Sequence, residues 1–524
     1  MPSLKEDASF IEFLALGETA TERTQEYLNN LGHNIIELER GALSSRRWEY
    51  KEKRLRVPDL LCVNCGRTVE SRGKKNLEIT MSHSTSDEER EWDAGADDED
   101  LIAFVKCTKN GELPTDWEAP ESVNIMSYGA LREVENQTKQ DRAGPTQGSE
   151  LTITWPSVIP SADGTVKKID LEDMRLQVSR GSDGYTLSYS LEKKIDDGEY
   201  AELKPLVEKG DSVNGEEEII AAPAELESEN GIECGHSYSI DQYLSDIESG
   251  SFEEKFAAVK ALGFCDYDNT AESVLREVID NQSENYFLRL EAAGSLARHG
   301  VDKGYEFLKG TARLSSTVSD PEEDASKRLE ALLILGEVGG QEAGEVLAET
   351  LRNENELVEI RAQAAACIGE IDQPEFAEAL ISAFESRHEK VKDDAIEGLA
   401  KLGETGVETA LEGLSSGSED KQIGSAIALA MMDEVSIEDI ITHVEDNEVS
   451  KKWLSFAFGL REMDEVAENM DSIEAFDGDV AFGSELLSDI FNSWADPLSQ
   501  LIRIKLRRSQ DSEAGDAQKD LTDF

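Results

Sequence analysis

A short signature recurs seven times in the second half of this chain: a small residue, two spacers, a small-large pair and usually another small residue. The copies begin Ala258-x-x-Ala261-Leu262-Gly263, Ala292-x-x-Ser295-Leu296-Ala297, Ala331-x-x-Ile334-Leu335-Gly336 and Ala364-x-x-Cys367-Ile368-Gly369. They continue as Ala395-x-x-Gly398-Leu399-Ala400, Ser425-x-x-Ala428-Leu429-Ala430 and Leu454-x-x-Ala457-Phe458-Gly459. Successive copies are 34, 39, 33, 31, 30 and 29 residues apart. A period near this length, punctuated at helical spacing, restricts the segment to an array of stacked helix pairs, an α-solenoid. In such an array the small positions let helices approach closely, while Leu and Ile fill the shared core.

The charge balance is extreme. The 524 residues carry 112 Asp plus Glu against 52 Lys plus Arg, a formal net charge of −60. Acidity on that scale would destabilise an ordinary fold through self-repulsion unless salt screens it. Acidic residues also fall inside clearly periodic helical segments. The pattern is similar to that of acidic proteins from extreme halophiles, which implies a salt-rich cytoplasm. An acidic partner-binding protein with disordered flanks is the other reading. The first residues, MPSLKEDASFIEFLALGE, lack the basic start and apolar core of a leader, and no run of 18 apolar residues occurs. Six cysteines in this length suggest no disulfide framework. The expectation is a cytoplasmic chain with no membrane partner.

The expected organisation is multidomain. Residues 1–135 read as mixed α/β: a helix over Thr19–Leu31 stopped by Gly32, a strand at His33–Leu38, and a hairpin of Val57–Val63 and Thr68–Arg72 around Asn64-Cys65-Gly66. Further strands are expected at Asn76–Met81, Leu101–Cys107 and Val123–Tyr128. Residues 136–148 read as a polar linker. Residues 149–235 read as a small β-rich domain, 237–465 as the all-α solenoid, 466–508 as capping helices, and 509–524 as a disordered acidic tail.

The repeats resemble HEAT-type repeats, in particular the bilin-lyase-like kind, over roughly 230 residues. That resemblance implies a solenoid whose surface binds a protein partner, and it brings no catalytic residue with it.

Chemistry concentrates near the N-terminus. Pro58-Asp59 opens one strand of the hairpin and Glu70 lies on the next, an arrangement that resembles the PD-(D/E)xK nuclease core within a restriction-endonuclease-like fold. The resemblance implies that Asp59 and Glu70 share a divalent metal such as Mg²⁺, which would activate water against a phosphodiester. It also implies an extra carboxylate from the first helix, Glu18 or Glu22. The family's lysine position holds Arg72 instead, which cannot give up its proton, so Lys74 is the candidate for that role.

Two more features lie close by. Cys62-x-x-Cys65-Gly66 has the shape of a zinc knuckle, since the turn aims both thiolates at one point. A structural Zn²⁺ would need two more ligands, for which Cys107 and His83 are the nearest candidates; Cys234-Gly-His236 would require the middle domain to fold back. Buried thiols or a redox pair are the alternatives. Residues 46–56 hold six cations, Arg46, Arg47, Lys51, Lys53, Arg54 and Arg56, against two anions, with Trp48 and Tyr50 interleaved. With Arg72 following, this basic and aromatic run in so acidic a chain points to DNA or RNA. Three functions remain open on sequence: a scaffold whose N-terminal domain engages nucleic acid, a metal-dependent nuclease of DNA repair or defence, and a purely structural interaction module.

Overall fold

The apolar run at 101–107 supplies a strand, Leu101–Lys106, whose first five residues are buried, and its neighbours organise the first half of the molecule. A computed structural model describes residues 8–38, 40, 57–87, 91–111, 116–134, 138–141, 149–196, 199–223, 232, 234, 237–266, 269–313, 321–371, 373–416, 418–432, 435–444 and 451–461. The chain divides into two compact units, Met1–Tyr267 and Asp268–Phe524.

In the first unit, helix α1 (Ala8–Asn30) ends at Gly32, whose φ of +90° is a conformation that glycine adopts without strain. Strand β1 (Ile35–Glu37) follows, then β2 (Leu60–Cys62), β3 (Thr68–Lys74), β4 (Ile79–Ser84) and β5 (Leu101–Lys106). A short pair, β6 (Thr108–Lys109) and β7 (Trp117–Glu118), precedes β8 (Asn124–Ser127) and helix α2 (Tyr128–Arg132). The main sheet has the order β1-β2-β3-β5-β8, with β3 and β5 parallel and the other neighbours antiparallel. Leu101, Ile102, Ala103, Phe104 and Val105 are all fully buried, because both faces of β5 are covered. One face packs Leu101 and Ala103 with Leu28 and Val69, and Val105 with Ala15, Leu16 and Ala20 of α1. On the other face Ile102, Phe104 and Met126 meet Ile79, Met81, Ile153 and Trp155 of a second sheet. Each large apolar side chain sealed this way contributes about 1.5–3 kcal/mol.

That second sheet corrects the expected boundaries. It has the order β4-β10-β9, where β9 (Thr138–Asp141) falls inside the expected linker and β10 (Glu150–Trp155) inside the expected middle domain. Pairing of β10 with β4 across six residues ties both segments to the N-terminal core. The remaining β layer is built on β11 (Gly164–Asp170), β12 (Arg175–Arg180) and β13 (Thr186–Ser190), with Ser212–Val213 at one edge and a core of Val166, Leu176, Val178, Leu191, Leu203 and Ile220. Helices α3 (Ile240–Ser249) and α4 (Phe252–Ala261) complete this unit, each opened by a capping box, Ser239 with Gln242 and Ser251 with Glu254.

The second unit contains α5 (Asn269–Asp280), α6 (Tyr286–Arg298), α7 (Asp302–Ala312), α8 (Pro321–Val338), α9 (Gly340–Arg352), α10 (Val358–Glu370), α11 (Ala377–Ala383), α12 (Glu389–Lys401), α13 (Glu404–Leu414), α14 (Glu419–Ala430), α15 (Ile437–Val444) and α16 (Lys451–Gly459). Six signature copies lie in α6, α8, α10, α12, α14 and α16, and these helices pack against one another in succession. The first copy lies in α4 of the first unit, so the compact division falls after the expected start of the array at 237. Small residues sit where neighbouring backbones meet: a Cβ on Gly369 would lie 2.5 Å from the Cα of Gly398.

One regularity of the array escaped the sequence reading. Three positions before the first small residue of a copy stands a cationic or amide side chain, and in three copies an arginine there caps the preceding helix. Arg289 Nε donates to the Ile279 carbonyl at 2.8 Å, Arg328 Nε to Ala312 at 3.0 Å, and Arg361 Nε to Leu351 at 2.9 Å. Gln422 Nε2 instead donates to the Ser416 carbonyl, two residues past the end of α13, at 2.7 Å. Carbonyls at a helix end have no partner within the helix, so each capping side chain satisfies an orphan acceptor and complements the helix dipole. The pattern Lys255, Arg289, Arg328, Arg361, Lys392, Gln422 and Lys451 was visible in the spacing. Ion pairs also link successive repeats, among them Arg298–Glu337 at 2.5 Å, Arg328–Glu356 at 2.5 Å and Lys421–Glu385 at 3.2 Å.

Residues 462–524, which include the expected capping helices and acidic tail, lie outside the described residues. Among the described residues no helix is long and apolar enough to cross a membrane.

Candidate metal centre

The hairpin of β2 and β3 turns through Asn64-Cys65-Gly66, as expected. Gly66 has φ +76° and donates its N–H to the Cys62 carbonyl at 2.8 Å, closing the turn. That geometry brings Cys62, at the end of β2, and Cys65, in the turn, to one side. His33 reaches the same point from the link between α1 and β1; its backbone N–H donates to the Leu28 carbonyl at 3.1 Å. The fourth group is Cys234. The donor atoms of His33, Cys62, Cys65 and Cys234 all lie within 4.8 Å of one another, and among the described residues this is the one cluster of three or more His, Cys, Asp or Glu able to hold a metal ion.

The contacts are specific. Cys62 Sγ lies 3.8 Å from Cys234 Sγ, and Cys65 Sγ lies 3.7 Å from His33 Nδ1. The other imidazole nitrogen, Nε2, hydrogen-bonds the Ile232 carbonyl. As that carbonyl can only accept, Nε2 carries the proton and Nδ1 keeps its lone pair for the cysteines' side. His33, Cys62 and Cys65 are buried and Cys234 is half-buried. The hydrogen bond from Cys65 draws the Cys62 thiol down to about 3, against the effect of burial and with help from His33; the same bond, with burial, pushes Cys65 upward. Burial and the neighbouring Cys62 raise Cys234 as well, so Cys62 alone of the three is drawn toward thiolate.

The segment bearing Cys234 is clasped over the turn. Tyr238 donates its backbone N–H to the Asn64 carbonyl at 2.7 Å, and the Tyr243 hydroxyl donates to the Val63 carbonyl at 2.8 Å. The Tyr238 ring lies so close to Gly66 that a Cβ there would be 2.4 Å from it. Gly66→Ala should therefore destabilise the first unit by at least 1 kcal/mol, through both the positive φ and the clash, read as a lower melting midpoint.

Two expected ligands are elsewhere. Cys107 follows β5, and the parallel register Val69↔Leu101 to Lys74↔Lys106 puts it beyond the far end of β3 from the turn. Six residues of strand separate those ends, roughly 20 Å at the usual rise. Its thiol is buried among Ala15, Leu16, Val105 and Trp117, and burial pushes it up to about 11. His83 lies on β4 in the other sheet, where its Nδ1 accepts from the Trp92 N–H at 3.4 Å. His236 is outside the described residues.

The carboxylates of the nuclease-like motif are distributed differently from the expectation. Asp59 Oδ2 accepts the Ser71 N–H at 2.8 Å, and Glu70 forms an ion pair with Arg72 at 2.7 Å. Strand alternation separates Glu70, Arg72 and Lys74 from Val69, Ser71 and Gly73. The second set faces α1, with Ser71 Oγ 3.0 Å from Thr24 Oγ1 and Gly73 against Leu16. Glu18 and Glu22 thus belong to a helix on the opposite face of the sheet from Glu70, and do not join Asp59 and Glu70 in a metal-sized cluster. Lys74 Nζ donates to the Thr80 carbonyl at 2.8 Å and to Thr80 Oγ1 at 2.7 Å, and burial, aided by Arg72, lowers its pKa to about 8. Arg46, Arg47, Trp48, Lys51, Lys53, Arg54 and Arg56 lie outside the described residues.

The family model for HEAT repeats matches residues 311–400, which contain α8 to α12 except the last residue of the latter. The helical region is thus a HEAT-like repeat array. Similar solved structures include human deoxyhypusine hydroxylase, at 16% identity over 38% of this chain and 86% of that one with a TM-score of 0.18. The CpcE–CpcF complex of phycocyanin lyase from Nostoc sp. PCC7120 is 14% identical over 46% of this chain and 96% of that one, with a TM-score of 0.25. Kap121p bound to Pho4p is 14% identical over 54% of this chain and 38% of that one, with a TM-score of 0.22. No curated protein matches the chain.

Proposed function

We propose that the chain is a HEAT-like scaffold whose array holds a protein partner and whose N-terminal domain engages nucleic acid without cutting it, in a salt-adapted cytoplasm. The observation that carries the nucleic-acid part is the run of six cations and two aromatics at 46–56 in a chain of net charge −60. Locally reversed charge of this kind is what a polyanion requires, because each phosphate neutralised releases a counterion. Binding is favoured over hydrolysis by the state of the motif: Glu70 is held by Arg72, and Lys74 is engaged by Thr80. The helix–strand–hairpin order and the adjacent-strand placement of Asp59 and Glu70 support a nuclease-like ancestry for the sheet.

Fluorescence anisotropy of the full chain with single-stranded and duplex DNA and RNA tests this reading. Changing Arg46, Arg47, Lys51, Lys53, Arg54 and Arg56 together to Gln should weaken binding at least about a hundredfold and flatten the duplex salt slope by about 5. Equal affinity and slope for the two proteins would refute it.

The salt-adapted part rests on the same net charge. The melting temperature should climb steadily between roughly 0.1 M and 2 M KCl, as the Debye length shrinks below about 3 Å. A melting temperature that is flat or falls across that range would contradict it.

A further inference from the structure

We propose that His33, Cys62, Cys65 and Cys234 form a closed structural zinc site that fastens the segment before α3 to the β2–β3 hairpin. A tetrahedral ion with Zn–S of about 2.3 Å and Zn–N of about 2.0 Å places its ligands roughly 3.6–3.8 Å apart. The observed Sγ···Sγ separation of 3.8 Å and Sγ···Nδ1 separation of 3.7 Å match those edges. A disulfide requires about 2.05 Å between sulfurs, so Cys62 and Cys234 are not bonded to each other and both sulfurs are free to ligate.

The donor set selects the metal. Three cysteines and one imidazole, whose donor atoms lie within 4.8 Å of one another, suit Zn²⁺ better than the hard cations that prefer oxygen. Four protein ligands leave no open position for water or substrate, so the ion holds structure and performs no hydrolysis. The hydrogen bond from Nε2 to the Ile232 carbonyl fixes the ring and its tautomer, the role usually played by an outer-shell partner of a zinc-bound histidine. On binding, thiol protons pass to solvent while Nδ1 donates its existing lone pair, with no change of oxidation state. Ile232, whose carbonyl accepts this hydrogen bond, packs in the same apolar cluster as Leu28, Ile35, Leu60, Cys62 and Cys65.

The site also explains how the first unit closes. Cys234 is 172 residues from Cys62 along the chain, and a metal that joins them restricts a long loop. Residues 237–243 then cover the hairpin turn through Tyr238 and Tyr243.

The full chain, purified in reducing high-salt buffer, should contain one zinc per molecule by elemental analysis. Replacement of zinc by Co²⁺ should give the intense visible bands of a tetrahedral, thiolate-rich site. Cys234→Ser and His33→Ala should each weaken Co²⁺ or Zn²⁺ binding by at least about a hundredfold, whereas Cys107→Ala and His83→Ala should leave it unchanged. Should the ligand variants fail to fold, the wild-type chain still decides the matter through its cobalt spectrum and its loss of thermal stability on chelation. A pale, octahedral cobalt spectrum, zinc well below one equivalent, or a Cys62–Cys234 disulfide in place of metal would overturn the proposal.

Discussion

Gly369→Val should lower the stability of the helical array by about 3 kcal/mol, the upper part of the usual range for overpacking. The first atom added is already intolerable, since a Cβ at Gly369 would stand 2.5 Å from the Cα and 2.6 Å from the carbonyl oxygen of Gly398. Both obstacles are backbone, so no side-chain rotation relieves them and α10 must move away from α12. The reciprocal contact is as tight: a Cβ on Gly398 would lie 2.6 Å from the Ala365 carbonyl oxygen. For a unit of this size the cost corresponds to a fall of roughly 6–12 °C in melting temperature. Because each repeat touches only its neighbours, the damage should begin at this interface and spread outward. Gly310→Ala supplies the contrast. Gly310 lies in α7 with nothing within 4 Å of a prospective Cβ, so alanine there should stabilise by about 0.5–1 kcal/mol through helix propensity. Thermal melts of the two variants beside the parent chain check both signs.

Arg361→Met should cost about 2 kcal/mol, although the new side chain is apolar and of similar length. Arg361 is only 6% exposed, and its Nε–H satisfies the Leu351 carbonyl in the last turn of α9. Removing the donor strands a buried acceptor and deletes a positive charge at a helix C-terminus, and both effects act in the same direction. Arg361→Lys should recover only part of the loss, because an ammonium lacks the planar fork. Arg289 and Arg328 occupy the same place in their repeats, so Arg289→Met should show a loss of the same order in urea titration. A neutral outcome at both positions would show that the capping pattern is incidental.

The array was legible in sequence because its constraint is local: a small residue recurs wherever two backbones meet, and the interval between recurrences is the length of one helix pair. The cation three residues earlier obeys the same logic and was equally available, as Arg289, Arg328 and Arg361 demonstrate. Strand β5 announced itself as an unbroken apolar run, which is what burial on two faces demands. The first sheet was harder. Whether Glu18 and Glu22 could join Glu70 depended on which face of β3 the helix covers, and Val69, Ser71 and Gly73, small or apolar, were the residues that marked that face. The boundaries near 136 and 149 were missed because β9 and β10 pair with β4, a non-local choice that polar linker composition conceals. The metal cluster was half legible. Cys62 and Cys65 are joined by a turn of fixed geometry, whereas His33 and Cys234 arrive from opposite directions in the chain. Of the expected ligands, Cys107 lies past the far end of β3 and His83 on a strand of the other sheet.

The nucleic-acid reading separates most directly from a catalytic one in a single assay. Labelled single-stranded and duplex DNA and RNA are incubated with the full chain and Mg²⁺ or Mn²⁺, at the lowest KCl concentration that keeps it folded. The account predicts retained complexes and intact strands, with Asp59→Ala indistinguishable from the parent. Strand cleavage that appears with the metal and disappears in Asp59→Ala would contradict it.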